Sequence, residues 1–499
     1  MDGRRPGTPG AARAVAYIIE QMQRVGLQPG GIAGSWTQTV PMRAVATDAK
    51  RTEVALTTPT GAQSLTLGTD VVLSTFRAAG THRIDADLVF VGYGITAPEY
   101  GWDDYAGLDL EGKVAVVLVG DPPLTDGRFT GDALTYYGRW SYKFEHALAR
   151  GAHGVLIVHE TAGAAYGWHV IQTSWMHARM HVLEADGALP TALAVQGWIT
   201  RDAADALATS CGSNLAAWRQ QAIKPGFAPR VLPAKLRASF VTTERRTEDV
   251  NVIGTLAGAR LRDQAVAVTA HWDHLGHADE PVPDGDSIYN GAVDNASGIA
   301  GMLAVAAGLG ARAHAGRPLA RSVLFIATTG EEEGLLGSSF FAGHPTIPLA
   351  DLAAVVNLDS MNVHGRSHTI QVIGPGQSSL EDVLVEVAEA EGRLVVPDEH
   401  PASGAYYRSD HFSFARRGVP AIYVRGGTDL EVGGADLGNR LGEALALHYH
   451  TVDDEFDETW TFEGTLQDAL TVASLVGRVA DADGMPQWKP TSEFAKVPR

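Results

Sequence analysis

Two stretches of the chain alternate short apolar runs with helical patterns, and this alternation predicts two α/β modules. In the second half, apolar runs predict strands at 265–269, 323–328, 354–358 and 421–424. Helical spacing predicts helices at 298–309, 380–390 and 466–479. Because these strands are apolar throughout rather than at alternate positions, we expect both faces to be buried. The pattern therefore predicts a three-layer α/β fold with a mostly parallel central sheet between helices.

The first half predicts a smaller α/β module after an N-terminal helix. Apolar residues at helical spacing predict an amphipathic helix over 11–25. Strands are then predicted at 88–91, 114–119, 155–158 and 192–195, and helices at 140–149 and 214–223. The proline-containing stretch 222–236 is interpreted as the linker that leaves this module. We therefore divide the chain into an N-terminal arm and helix (1–83), an inserted module (84–225) and a main domain (226–499).

Composition narrows the class of protein and the kind of site. The 499 residues carry 39 Lys and Arg against 58 Asp and Glu, and the net charge of −19 disfavours a nucleic-acid partner. Cys211 is the only cysteine, which excludes a zinc site built from several thiolates. No apolar run approaches the ~18 residues of a membrane span, and the start lacks a secretion signal. We expect a secreted or periplasmic protein whose leader is not included, although a cytoplasmic location remains open.

Chemically active side chains follow the predicted strands of the second half. Sheets of this class place their ligands in loops just past the carboxyl ends of strands. The motifs HWDHLG, NGAVDNASG, GEEEGLLGS, NLDS and HYHTVDD place the following residues in or beside such loops: His271, Asp273, Asp294, Glu331, Glu332, Glu333, Asp359 and His450. Each has an ordinary alternative, for instance helix capping by Asp294 or a solvated run of glutamates. A bound cation would relieve the repulsion among the glutamates.

Two histidines and several carboxylates form the nitrogen and oxygen ligand set that suits Zn²⁺ or a similar divalent ion. Coincidence across five loops is a poor explanation for their placement. An odd number of carboxylates also suggests one shared bridge between two ions. Two such ions about 3.5 Å apart, bridged by a carboxylate and a water, make a hydrolytic centre.

These motifs, together with YYRSDHFSF, resemble the bacterial di-zinc aminopeptidase family, whose superfamily includes glutamate carboxypeptidases, glutaminyl cyclases and the transferrin receptor. The resemblance covers residues 250–480, and EExGLxGS at 331–338 is its most specific element. It implies two Zn²⁺ ions and the following roles. His271 and Asp359 would hold one ion, Glu332 and His450 the other, and Asp294 would bridge them. Glu331 would be the general base, Asp273 would orient His271, and Tyr406 would face the oxyanion.

Some positions stay open within that resemblance. Tyr407 adjoins Tyr406, and the oxyanion role could belong to either. Four further histidines are assigned structural or supporting roles: His274, His277, His364 and His411. The module at 84–225 resembles a protease-associated domain, a non-catalytic insert, through the stretch DLVFVGYGITAPEYGWDDYAGLDLEGKVAVVL. We expect it to contribute to substrate access and to supply no metal ligand.

The leading hypothesis is a di-zinc aminopeptidase that acts on peptides with a free N-terminus. The alternatives are a carboxypeptidase or dipeptidase on the same site, a single-zinc glutaminyl cyclase, and a receptor-like binding protein without catalysis. Asp284, Asp286 and Glu331 offer the carboxylates that a substrate amine needs, whereas the basic fork of a carboxypeptidase could come from Arg408, Arg416 or Arg417. The full ligand set with its base disfavours the receptor. The sequence indicates neither residue preference nor oligomeric state.

Overall fold

The fold is described from a computed structural model, which describes residues 1–130, 133–164, 166–224, 226–278 and 285–499. Within these residues the α-helices, in chain order, are α1 (Pro9–Arg24), α2 (Trp140–Ala149), α3 (Thr161–Ala164), α4 (Trp168–Met176), α5 (Arg201–Ser210), α6 (Leu215–Ala222), α7 (Gly298–His314), α8 (Leu336–Gly343), α9 (Leu380–Ala390), α10 (His411–Ala415), α11 (Gly434–His448) and α12 (Glu463–Asp481).

The strands in the same residues are β1 (Gln28–Pro29), β2 (Thr37–Thr47), β3 (Glu53–Thr58), β4 (Gly61–Leu65), β5 (Val71–Ser74), β6 (Gly80–Phe90), β7 (Thr96–Ala97), β8 (Trp102–Asp103), β9 (Val114–Leu118), β10 (Gly154–Val158), β11 (Arg179–Val182), β12 (Val195–Ile199), β13 (Arg230–Leu256), β14 (Leu261–His271), β15 (Gly276–His277), β16 (Ile288–Tyr289), β17 (Arg321–Thr328), β18 (Leu352–Leu358), β19 (Thr369–Ile373), β20 (Leu394–Pro397) and β21 (Ala421–Gly426).

The chain folds as two compact units whose bounds differ from those predicted. The first unit comprises 1–41, 247–399 and 408–499, and the second comprises 42–246 and 400–407. The second unit therefore begins at Met42 rather than at 84, because β3, β5 and β6 pair with strands that belong to it. The predicted linker 222–236 contains the start of β13. The pairing of β13 with β6 shifts register between Val231 and Lys235, around a proline that lacks the N–H needed for a ladder bond.

The first unit has a mostly parallel central sheet, which confirms the predicted fold class. Its strands run in the order β13, β17, β14, β18, β21, β19 and β20. The four central strands β17, β14, β18 and β21 are mutually parallel, so their carboxyl ends meet at one edge. Every residue of β17 and β18 is buried, as their mostly apolar runs predicted.

Helices pack against one face of this sheet and form an apolar core with it. Alternate residues of β14, such as Val266 and Val268, join a cluster that includes Met302 of α7 and Val472 of α12. Helix α1 adds Met22 and others to the same cluster, so the predicted N-terminal helix buries its apolar face in this unit. Helix α10 packs on β18 and β21 and contacts α8. The long, exposed helix α11 is a feature that the sequence analysis did not predict.

Helix α7 and the turn before it are the stretch of the described chain that meets the length and composition of a membrane span. Residues Ala292–His314 reach a mean hydropathy of 1.3 over the most apolar window. Of that window, 56% is buried within the protein. Such burial is typical of a core helix in a soluble domain, and the test by itself is weak.

The second unit is an α/β module with its own core. Strands β6, β9, β10 and β12 pair in this order and are parallel to one another, whereas β5 pairs antiparallel with β12 and β13 pairs antiparallel with β6. Helix α2 matches the predicted 140–149, whereas the strand predicted at 192–195 lies at Val195–Ile199. Its likeness to a protease-associated domain stays a prediction.

Candidate metal centre

The central strands of the first unit deliver three of the predicted site segments to one edge. Strand β14 ends at His271, and its neighbour β18 ends one residue before Asp359. Strand β17, on the other side of β14, ends at Thr328 and leads into the glutamate run. Because the three strands are parallel, the loops that follow them share the same end of the sheet.

Asp294 stands between two histidines, with one carboxylate oxygen directed at each. Its Oδ1 lies 3.2 Å from Nε2 of His271, and its Oδ2 lies 3.3 Å from Nε2 of His450. The residue is buried in the turn that precedes α7. A carboxylate placed in this way can share two cations, one on each oxygen.

A second set of contacts surrounds Glu332. Its Oε2 lies 2.9 Å from Nε2 of His450, and its Oε1 lies 2.5 Å from Nδ1 of His274. The side chain of His274 is fully buried, and its ring holds Glu332 in place. This contact agrees with the structural or supporting role predicted for His274. Glu332 therefore has one oxygen engaged by a supporting residue and the other directed at the predicted ligand His450.

Asp359 completes the other side of the site. Its Oδ1 lies 3.6 Å from Nε2 of His271, and its Oδ2 accepts a 2.7 Å hydrogen bond from the hydroxyl of Ser409. Asn357 in turn donates to the Ser409 hydroxyl at 2.7 Å and accepts from Thr269 at 2.7 Å. This buried chain of hydrogen bonds leaves one oxygen of Asp359 directed towards the histidine.

Asp273 contacts the glutamate loop more closely than it contacts His271. Its Oδ1 accepts the backbone N–H of Glu331 at 3.1 Å, and its Oδ2 lies 3.4 Å from the N–H of Glu332. The distance from Oδ1 to Nδ1 of His271 is 3.8 Å, which is longer than a hydrogen bond. The backbone carbonyl of Asp273 lies closer to that nitrogen, at 3.3 Å. Asp273 therefore fixes the glutamate loop, and its predicted orientation of His271 stays a prediction.

Glu331 lies beside the ligand candidates. Its Oε2 is 4.0 Å from Nε2 of His271, and with His271 and Asp359 it forms a group whose ligand atoms all lie within 4.8 Å of one another. Burial raises the pKa of Glu331 well above its usual range, and the charges of Glu332 and Asp359 add to this, against the lowering effect of His271.

The charges of the cluster suit the binding of a metal cation. Burial raises the pKa of Asp294, but hydrogen bonds from His271 and His450 outweigh burial and hold it well below its usual range. Burial lowers the pKa of His450, whereas Asp294 and Glu332 raise it to about 10. The histidines thus act as the positive partners of the carboxylates. A bound divalent ion would supply this positive charge instead, and the histidines would then bind it as neutral imidazoles.

The spacing of the donors also fits a metal ion. His271, Asp294 and Glu332 form a second group whose ligand atoms lie within 4.8 Å of one another. All members of both groups are imidazole nitrogens or carboxylate oxygens, the donors that Zn²⁺ accepts in a site without thiolates. His450 adds a further nitrogen within 3.3 Å of Asp294. The structure therefore brings together all five predicted ligands and Glu331.

Asp454 is a supporting residue that the sequence analysis missed. Its carboxylate accepts the backbone N–H of Val293 at 2.8 Å and that of Asp294 at 3.0 Å. It is buried and lies four residues after His450. Asp454 is the second aspartate of the motif HTVDD, but nothing in the motif indicates which backbone N–H groups donate hydrogen bonds to it.

The other residues singled out in the sequence are described by their own surroundings. Tyr406 and Tyr407 belong to 400–407, which is part of the second unit. Asp286 is exposed, with its Oδ1 accepting the N–H of Ile288, and Asp284 lies outside the described residues. The two arginines at 416 and 417 are exposed, as expected of surface charges, and so is Arg408.

Comparison with known proteins agrees with the site. Residues 251–473 match peptidase family M28. A protein of Pyricularia oryzae named "Probable zinc metalloprotease" is 29% identical over 215 residues, which cover 42% of this chain and 38% of that protein. The chain therefore spans well under two thirds of the length of that relative. The five candidate ligands and Glu331 all lie within the segment that matches the family, which confirms the resemblance carried by the motifs.

Solved structures resemble the chain over nearly its whole length. The aminopeptidase from Aneurinibacillus sp. strain AM-1 superposes with a TM-score of 0.50 at 20% identity, covering 98% of this chain and 92% of that one. The zinc aminopeptidase from Bacillus subtilis gives a TM-score of 0.41 at 20% identity, covering 99% and 93%. The first likeness supports the α/β fold described above.

Proposed function

We propose that this chain, whose residues 251–473 match peptidase family M28, is an aminopeptidase that hydrolyses peptide bonds at a pair of Zn²⁺ ions. The observation that carries the proposal is the position of Asp294 between His271 and His450, one oxygen directed at each. One carboxylate that faces two imidazoles in this way suits two ions rather than one.

The remaining donors fall on either side of this bridge. His271 and Asp359 would hold one ion, because Asp359 Oδ1 lies 3.6 Å from the nitrogen that faces Asp294. Glu332 and His450 would hold the other, since their facing atoms lie 2.9 Å apart. Two ions held there would acidify a bound water and polarise the scissile carbonyl. Other divalent metals with the same ligand preference would fit the same donors.

Glu331 is the general base in this proposal. Its carboxylate lies 4.0 Å from His271 and belongs to the same close group as Asp359, yet the proposed ligand set is complete without it. A free carboxylate beside the reacting water can take a proton from it and later pass that proton to the leaving amine. Positive charge in the site would counter the burial that raises the pKa of Glu331 and keep the base ionised.

Binding of the amine end needs a carboxylate beyond the proposed metal ligands. Glu331 is such a carboxylate, half-buried beside His271 and Asp359, and a cationic N-terminus would meet it. The arginines that could form a fork for a terminal carboxylate are exposed at 408, 416 and 417.

The proposal is tested by a zinc count together with a matched set of peptides. We expect elemental analysis of the purified protein to give two zinc ions per chain. One tripeptide is then presented in three forms: free, acetylated at its N-terminus and amidated at its C-terminus. Acetylation should stop cleavage, because it removes the positive amine, whereas amidation should be tolerated.

Each alternative gives a different result. Cleavage that survives acetylation but stops on amidation would make the protein a carboxypeptidase. One bound ion per chain, with cyclisation of N-terminal glutamine, would indicate a cyclase. Zinc binding without turnover of any peptide would indicate a receptor-like protein.

A further inference from the structure

A buried arginine close to the start of the chain spans the backbone of two metal-site loops. Nε of Arg4 donates to the carbonyl of Trp272 at 2.8 Å, and Nη2 donates to the carbonyl of Gly291 at 3.1 Å. Nη1 donates to the carbonyl of Asn290. The residue is only 7% exposed, although arginine is seldom buried without compensating partners.

The three carbonyls belong to the segments that carry two proposed ligands. Trp272 stands between His271 and Asp273, and Asn290 and Gly291 stand shortly before Asp294. One guanidinium therefore ties the end of strand β14 to the turn that opens α7. The ligand atoms on these two segments, Nε2 of His271 and Oδ1 of Asp294, lie 3.2 Å apart.

The backbone around Arg4 is held against the same loops. Its own carbonyl lies 3.4 Å from the N–H of His274, the residue that holds Glu332. Gly3 has φ +67° and meets Gly276 so closely that a Cβ at this position would overlap the backbone there. Close approach of two backbones with positive φ requires glycine. The side chain of Arg4 is thus held in position by backbone packing as well as by its own hydrogen bonds.

The charge of Arg4 also suits the site. Its guanidinium is buried near the carboxylates of Asp273, Asp294, Glu332 and Asp454. A fixed cation beside four carboxylates lowers the repulsion among them before any metal ion is bound. Lysine would supply the charge but not the planar fork that reaches three carbonyls at once.

We infer that Arg4 is a positioning residue that holds the His271 and Asp294 loops at the separation needed for metal binding. The inference rests on the proposed function, since it concerns the same centre. Residues that support metal ligands from outside typically contribute about 10- to 100-fold in metal affinity. We therefore expect Arg4→Ala to weaken zinc binding by roughly this factor.

The test measures zinc affinity by competition with a chromophoric chelator, using the full chain. Wild type, Arg4→Ala, Arg4→Lys and the control Arg13→Ala are compared. Arg13 is an exposed neighbour that pairs with Asp2 at 3.1 Å, so its loss removes a nearby positive charge without touching the loops. Arg13→Ala should match the wild type, and Arg4→Lys should lie between the wild type and Arg4→Ala. Guanidinium ion at millimolar concentration should restore part of the affinity of Arg4→Ala and leave Arg13→Ala unchanged.

Each result bears on one proposal or the other. Zinc affinity of Arg4→Ala within twofold of the wild type overturns the inference, even if the variant melts at a lower temperature, because a merely structural residue would behave in that way. If Arg4→Ala does not fold, zinc affinity of Arg4→Lys within twofold of the wild type overturns the inference instead. Failure of the wild type to bind zinc would instead overturn the metal centre itself, and the inference with it.

Discussion

At the scale of single residues, the proposed metal ligands and the proposed general base take different positions in the site. Asp294, Glu332 and Asp359 each have an oxygen directed at a histidine nitrogen within 3.6 Å. Glu331 lies farther from His271, at 4.0 Å, and is not needed to complete the proposed ligand set. Neighbouring glutamates in the sequence therefore take different positions in the site.

This separation predicts the behaviour of Glu331→Gln. The amide cannot accept the proton of the attacking water, whereas the proposed ligands are untouched. We expect turnover to fall by roughly 10²- to 10⁴-fold with the zinc content unchanged. Steady-state kinetics on a free tripeptide and elemental analysis of the same sample measure the two quantities.

Glu333→Gln is the matched control, since it removes a charge from the same run of glutamates. Glu333 pairs with Arg5 at 3.1 Å and has no proposed part in the reaction. Turnover of this variant should stay within a few-fold of the wild type. Near-normal turnover by Glu331→Gln would assign the base to another group.

At the scale of elements, the glutamate loop is held by the way helix α8 begins. The N–H of Gly337 donates to the carbonyl of Thr329 at 2.8 Å, which closes the loop between them. Asn251 donates to the carbonyl of Gly337 at 2.9 Å and accepts the N–H of Thr329 at 3.1 Å. A Cβ on Gly337 would overlap both the Asn251 side chain and the Thr329 backbone. The loop that carries Glu331 therefore depends on a glycine outside the site.

Two helical glycines give a matched comparison of this dependence. Gly337→Ala should destabilise the protein by about 1–3 kcal/mol, because neither neighbour can move without breaking a buried hydrogen bond. Gly308→Ala, in helix α7, meets open space and should stabilise it by about 0.5–1 kcal/mol. Urea denaturation measures both free energies of unfolding. We also expect peptidase activity to fall in Gly337→Ala alone, and equal activity in the two variants would contradict the account of the loop.

At the scale of the whole molecule, we expect metal binding to stabilise the folded state. The carboxylates of the centre lie close together in a chain whose net charge is −19, and a bound cation would relieve their mutual repulsion. A ligand that binds only the folded state stabilises it by about 2.7 kcal/mol at 100 times its dissociation constant.

Removal of zinc by a chelator should therefore lower the melting temperature in differential scanning calorimetry, and zinc should restore it. Asp294→Ala removes the proposed bridge and should lose most of the zinc-dependent shift. An equal shift in the variant and the wild type would mean that zinc binds elsewhere.

The sequence by itself determined the α/β class and the identity of the ligand candidates. Strands buried on both faces are mostly apolar, so β17 and β18 could be recognised from the sequence before their partner strands were known. Helix α9 agrees with its prediction at both ends, since its periodicity is local. The polar residues that follow these strands could be recognised as candidates because sheets of this class bind their ligands just outside the carboxyl ends of the strands.

The tertiary structure decided the bounds of the two units and the residues that support the site. Strands between 42 and 83 belong to the second unit through pairing with β12 and β13, and pairing partners distant in the chain leave no periodic signal. Asp454 and Arg4 act on backbone groups 160 and more residues away. A hydrogen bond to a distant backbone group depends on where folding brings that group and not on which residue carries it. Such contacts therefore appear only once the chain is folded.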